Sequence, residues 1–352
     1  MREGDFLSLS KNLNLIKTIA ISLVILSHFG PIAYNVIDGT MEFNFFLIYR
    51  SSLSCAVPLF LIVSGYLIIS KKYEYQKIFK RIIQFLILLF SFKFMYGLAF
   101  AKFSFSFDSI VYFFTTTAAD GYRVNSLWYL YALIGIFLLL PFIQKLYEDK
   151  KIYLLLCLIV LAFTFLVKPI ELIFNATFDY ELQFFTVLYP FRSHYGFALG
   201  YFLLGGLLQR YENKIQDIQV KTPILLLVIG VMIVSQAYFS LLISNLSETT
   251  FDPMFDGYKL LTNLVTSVLL FIIIKYRMKE YNHQIIDYIG RNTLLIYLLH
   301  WPIAYYVKEY LFNNLNINDY LLNVFGSIIV LLICLAIAKI VNNNDKIAGF
   351  FK

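Results

Sequence analysis

Long apolar runs separated by short polar stretches repeat along the whole chain. A helix needs about 20 apolar residues to cross the hydrocarbon core of a bilayer. By that measure, spans are predicted at 13–30, 44–69, 80–101, 127–146, 152–168, 186–209, 222–244, 258–276, 287–307 and 320–341. Residues 108–118 are apolar but too short to cross, so they are placed in an interfacial loop. The first run ends in Ser27-His28-Phe29-Gly30-Pro31, without a small-residue cleavage site. It reads as a retained helix, not a removable signal. No repeat, low-complexity tract or long linker interrupts the pattern, so residues 1–352 are expected to form a single membrane domain.

Composition narrows the class. Of the 352 residues, 60% are hydrophobic and 14% charged, with a mean hydropathy of +0.72. Soluble domains carry about 25% charged residues, so a soluble helical bundle is excluded and an all-α polytopic membrane protein is expected. Cys55, Cys157 and Cys334 lie inside apolar runs without metal-ligand spacing. They read as small core residues, and no metal site is expected.

The net charge of +7 would suggest nucleic acid in a soluble protein. Here topology explains it. The N-terminal segment, alternate loops (70–81, 145–151, 210–221 and 275–279) and the C-terminal end hold 19 Lys and Arg, against 4 in the other loops. Basic loops stay in the cytoplasm, so both termini are expected there, in agreement with ten spans. The opposite loops carry Asp108, Asp120, Glu171, Asp179, Glu181, Asp252 and Asp256, an acidic face that suits no nucleic acid.

Six basic residues fall within or at the ends of spans: Lys17, Arg50, Lys93, Arg192, Lys259 and Arg291. Charge at bilayer depth is costly and marks a functional site or a side chain that snorkels to the interface. Arg50 and Arg192, the latter near His194, stand toward the acidic face, where they are candidates for a polar substrate pocket. Lys17 and His28 are eleven residues apart, so they share one face of the first helix about 16 Å apart along its axis. An imidazole in the outer half can take a proton from a hydroxyl, or can be a buried histidine bonded to a neighbouring helix. Lys77, Lys80 and Arg81 lie on nearby helix faces before the third span. They suit phosphate binding, or equally topology control and anionic lipid contact.

At these residues the chain resembles the acyltransferase-3 family. The run NLIKTIAISLVILSHF, ending at Phe29, resembles the family's first helix: a basic residue, ten residues, then His. PLFLIVSGYL from Pro58, KIFKRIIQF from Lys77, LWYLYALIGIFLLLP from Leu127, YFLLGG from Tyr201 and IGRNTLLIYLLHWP from Ile289 resemble later family segments, in the family's order. Two departures stand out. Lys17 holds the place usually taken by Arg, losing the planar fork, and Asn125-Ser126 precede Leu127-Trp128 where a His is often seen.

The resemblance implies a ten-helix enzyme of a bacterial cytoplasmic membrane, embedded among its lipids. It would move an acyl group, usually acetyl, from coenzyme A to a hydroxyl of a surface glycan or lipid-linked saccharide. Acyl-CoA is then a co-substrate, and no bound cofactor is implied. On this reading Lys77, Lys80 and Arg81 hold the CoA phosphates, with Lys17 deeper in. His28 is the base or the transient acyl carrier. Ser64-Gly65 allow close helix packing, with Ser64 also facing the pocket. Arg50, Trp128, Tyr129, Arg192, His194, Tyr297 and His300 are candidates for the acceptor side. The alternative is a glycan exporter or flippase without transfer chemistry, although the interrupted, repeated halves common in transporters are not evident.

Overall fold

The computed structural model describes residues 11–29, 41–99, 127–178, 196–247, 251–279, 283–312 and 319–351. Arg192, His194 and the interfacial stretch 108–118 lie outside them. Among the described residues the protein is all-helical. Helix α1 (Lys11–Phe29) is followed by α2 (Met41–Leu53), α3 (Ala56–Ile68), α4 (Tyr75–Ala99) and α5 (Trp128–Glu148). An Asp149 cap then starts α6 (Lys150–Ala162), its carboxylate accepting from the backbone N–H groups of Lys151 and Ile152. A π-turn (Phe163–Val167) carries α6 into α7 (Lys168–Thr177). The second half holds α8 (Phe197–Arg210), α9 (Glu212–Gln216), α10 (Thr222–Ser247) and α11 (Leu261–Ile272), then α12 (Gln284–Arg291), α13 (Thr293–Val307), α14 (Asp319–Asn342) and α15 (Asp345–Ala348).

Among the described residues six helical units are long and apolar enough to cross a membrane: Phe45–Ile68, Tyr75–Ala99, Trp128–Glu148, Lys150–Thr177, Thr222–Ser247 and Leu321–Asn342. Their outward faces carry large exposed apolar residues such as Leu138, Phe142, Leu155, Leu227 and Leu332. Water would not solvate such a surface, and lipid does. The chain is a polytopic membrane protein. The other four predicted spans are largely helical over their described parts.

Two expectations are corrected and a third is refined. The predicted span 44–69 is present as Phe45–Ile68 and bends at Ser54-Cys55 between α2 and α3. Pro58 has no N–H for the Ser54 carbonyl four residues back, and the Asn263 side-chain amide donates to that carbonyl instead, at 3.1 Å. The run 152–168 continues as helix to Thr177, so part of the expected 169–185 loop is helical. The run 287–307 is two helices, broken at Asn292, and the apolar stretch begins at Thr293.

The basic segments meet at one end of the bundle. Lys72 pairs with Glu148 at 3.2 Å, and the Arg210 guanidinium stacks over the Tyr147 ring at 3.9 Å. Lys275 pairs with Glu212 at 3.8 Å. Arg277 donates to the Ile218 carbonyl, and the Asn12 amide donates to the Met278 carbonyl at 3.3 Å. The charge asymmetry along the sequence is therefore an asymmetry in space.

At the centre, α3 and α8 cross on glycines. A Cβ on Gly65 would overlap the Phe202 carbonyl, and one on Gly205 would overlap the Ile62 carbonyl and stand 2.7 Å from the Tyr66 nitrogen. Small residues let membrane helices approach this closely. Gly206 makes room for the Tyr153 hydroxyl, which donates to the Leu203 carbonyl at 2.6 Å and holds α6 against α8.

Candidate active site

His28 occupies the last turn of α1, seventeen residues and about 25 Å beyond Lys11. Helix α13 packs against it. The His28 and His300 ring centroids are 5.0 Å apart, and the Trp301 ring lies edge-on to His28 at 4.4 Å. Pro302 shapes this segment. It leaves the Leu298 carbonyl without its helical donor, and the Tyr96 hydroxyl of α4 fills the gap at 2.8 Å. As at Pro58, a proline frees a carbonyl and another helix satisfies it, as backbone inside a bilayer requires.

His300 is fully buried. Its Nδ1 bonds the Tyr297 carbonyl, and a carbonyl only accepts, so Nδ1 carries the proton. In the neutral ring Nε2 is then a bare acceptor, and it has no partner among the described residues. Tyr297 lies one turn back on the same helix, with its ring 5.4 Å from Tyr129. Tyr129 in turn sits 6.3 Å from Phe60, within hydrogen-bonding reach of the Ser64 hydroxyl. Trp128 meets Phe197 at 5.6 Å and Tyr258 at 6.1 Å. An aromatic chamber drawn from α3, α5, α8, α13 and the 251–260 segment thus adjoins the histidine pair.

Arg50 closes the far side. It is buried and donates from Nη1 to the Ser27 carbonyl at 3.3 Å, next to His28. Its Nε and Nη2 both bind the Asp252 carboxylate. Phe255 lies 5.2 Å from its guanidinium carbon. Asp252 is held by its own loop, accepting from the Met254 backbone at 2.8 Å. This clamp ties the end of α1, which carries the histidine, to the loop that carries Tyr258. Removing one partner of a buried pair leaves the other charge uncompensated, at a cost of roughly 3–5 kcal/mol. Asp252→Leu is therefore expected to lower the thermal midpoint in detergent clearly. The double variant Arg50→Met/Asp252→Leu is expected to recover part of that loss. A double variant as unstable as the single one would contradict the clamp.

The predicted phosphate-binding residues stand within two turns of one another on α4, at the basic end. Lys77 and Lys80 are exposed at the start of α4, and Lys77 pairs with Glu74 at 3.7 Å. Arg81 is half-buried over the Phe85 ring at 4.7 Å, and its Nη1 donates to Gln84. Close by, an open groove of about 700 Å³ is lined by residues 69–76 with Pro141, Gln144, Lys145, Tyr147 and Glu148. Lys17 lies on α1 in the field of Asp287 and Arg291 of α12. There the Asn14 amide donates to Asp287 at 3.0 Å, and Gly290 rests on the Asn14 backbone.

Lys17 lies near α12 and His28 packs against α13, the next helix in the chain. Asp252, Tyr258 and Trp301 were not singled out from sequence. From sequence Arg50 reads as a substrate-pocket candidate with no partner named, and Trp301 falls within the segment IGRNTLLIYLLHWP without a role of its own. Among the described residues no cluster of His, Cys, Asp and Glu could hold a metal ion.

A protein-family model described as an acyltransferase domain matches residues 10–339, nearly the whole chain. Comparison with curated proteins gives no match, and comparison with solved structures gives none.

Proposed function

The chain belongs to the acyltransferase-3 family of membrane acyltransferases, and from that premise we propose that it moves an acyl group from acyl-CoA to a hydroxyl of a surface glycan or lipid-linked saccharide. The observation that carries this reading is the setting of His28. It is a half-buried imidazole inside the bundle, against a second histidine and beside an aromatic chamber. In this mechanism His28 takes the proton of the acceptor hydroxyl as its oxygen attacks the thioester carbonyl carbon. The C–O bond forms, the C–S bond breaks, and the sulfur leaves with the electron pair. The proton on His28 then goes to that thiolate, giving an ester and free CoA.

The donor approaches from the basic end, which we place in the cytoplasm of a bacterial inner membrane. Lys77, Lys80 and Arg81 meet the CoA phosphates, and Lys17 stands along the path toward His28. The acceptor approaches through the aromatic chamber, where Trp128, Tyr129 and Tyr297 offer ring faces and hydroxyls to a saccharide. Close aromatic packing around the histidines favours a small acyl group such as acetyl.

Membranes containing the protein, supplied with acetyl-CoA and the host's glycan lipids, are expected to release CoA thiol only when both are present. Release that does not depend on the glycan lipids, or no release with any short-chain acyl-CoA, would contradict the proposal.

A further inference from the structure

Trp301 has no role in the mechanism above, yet its position calls for one. Its ring is half-buried and packs edge-on against His28. Its indole Nε1–H is buried and has no hydrogen-bond partner among the described residues. An indole N–H only donates, and native proteins rarely leave a buried donor unpaired. The preceding residue is its complement: His300 Nε2 is a buried acceptor, also unpartnered. The two atoms belong to adjacent residues and do not bond each other. A donor and an acceptor left open beside one imidazole fit a guest that brings one of each.

The transfer reaction brings such a pair. The acceptor hydroxyl donates, and the thioester carbonyl oxygen accepts and gains negative charge as the hydroxyl adds. Arg50 also lies close to this histidine, with three of its five N–H groups already held by Asp252 and the Ser27 carbonyl. Among the described residues the Trp301 N–H is the buried donor beside His28 that has no partner.

We infer that Trp301 is a catalytic residue whose indole N–H binds the thioester carbonyl oxygen and holds the oxyanion formed when the hydroxyl adds. The inference rests on the acyl-transfer reading of the same site. In the step, the oxygen–carbon bond forms, the hydroxyl proton passes to His28, and the carbonyl π pair becomes an oxyanion pair facing Nε1–H. When that pair re-forms the carbonyl, the C–S bond breaks and the thiolate takes the proton from His28. The indole keeps its own proton throughout. Preorganised donors of this kind act on the transition state more than on the bound substrate.

The test compares CoA release by wild type, Trp301→Phe, and a protein with benzothienylalanine inserted at 301, which keeps the two-ring shape and puts sulfur in place of N–H. Each protein is checked for monodisperse behaviour in detergent. Both variants are expected to lose about 10²–10³ in kcat, with the KM for acyl-CoA changed less than about threefold. If Trp301→Phe misfolds, the isosteric protein alone decides. A benzothienylalanine protein with wild-type kcat overturns the inference, whether or not Trp301→Phe is impaired, because ring shape would then suffice. Wild type that fails to release CoA overturns the acyl-transfer reading and this inference with it. Wild type that turns over beside a fully active isosteric protein overturns the inference alone.

Discussion

Gly65→Ala is expected to leave little folded protein. The methyl would sit on the Phe202 carbonyl of α8, and neither that backbone oxygen nor the Gly65 backbone can rotate away. The only relief is to separate α3 from α8, which breaks the reciprocal seat of Gly205 on Ile62 and Tyr66. Overpacking a core with movable side chains costs about 1–3 kcal/mol. A collision of two main chains belongs at or beyond the top of that range. Gly205→Ala is expected to behave the same way. The controls are in the same molecule: Gly135 and Gly230 are helical with nothing within 4 Å of an added Cβ. Alanine at either is expected to be neutral or slightly stabilising, since it is the better helix former. Size-exclusion profiles of the four variants in detergent check this. A monodisperse Gly65→Ala protein with a wild-type melting curve would show that the α3–α8 crossing is not as close as described.

His28→Ala is expected to be the most damaging change to activity while sparing the fold. The imidazole is only half-buried, and among the described residues no hydrogen bond depends on it, so its removal should leave the bundle standing. His300 also presents a bare Nε2, but it is fully buried while His28 is half-exposed, and its Nδ1 is tied to the Tyr297 carbonyl. A positioned general base contributes about 10²–10⁴ in rate, and CoA release should fall by that factor with the protein's elution profile unchanged. Equal turnover in the variant would make His28 a structural residue and move the chemistry elsewhere.

The sequence announced the helices because lipid sets their length, and a run of 20 apolar residues has few other uses. It announced the basic end because loop charge records topology. What it hid are features decided by packing between distant segments. Pro58 is visible, but a bend there is tolerable only because Asn263, 205 positions later, supplies the missing donor. Arg50 in a span reads from sequence as a pocket residue, and Asp252 as one of several acidic residues toward that face. Only the folded loop shows Asp252 to be the partner. His28 and His300 could each be marked from its own helix, but their meeting depends on how α1 docks against α13. Helices α1, α8, α11 and α13 carry polar, glycine or interrupted positions within their apolar runs. Three of them (α1, α8 and α13) line the candidate site, and α11 supplies the Asn263 amide to the Pro58 bend. Local departures from the simplest membrane pattern are where function was to be expected.

The most direct test follows the acyl group itself. Purified wild-type protein in vesicles, given acetyl-CoA labelled in the acetyl group and extracted glycan lipids, is predicted to place the label on the glycan lipid as an alkali-labile ester, and His28→Ala is predicted not to. Glycan lipid that crosses the vesicle membrane without ever carrying the label would contradict the account and make the protein a carrier rather than a transferase.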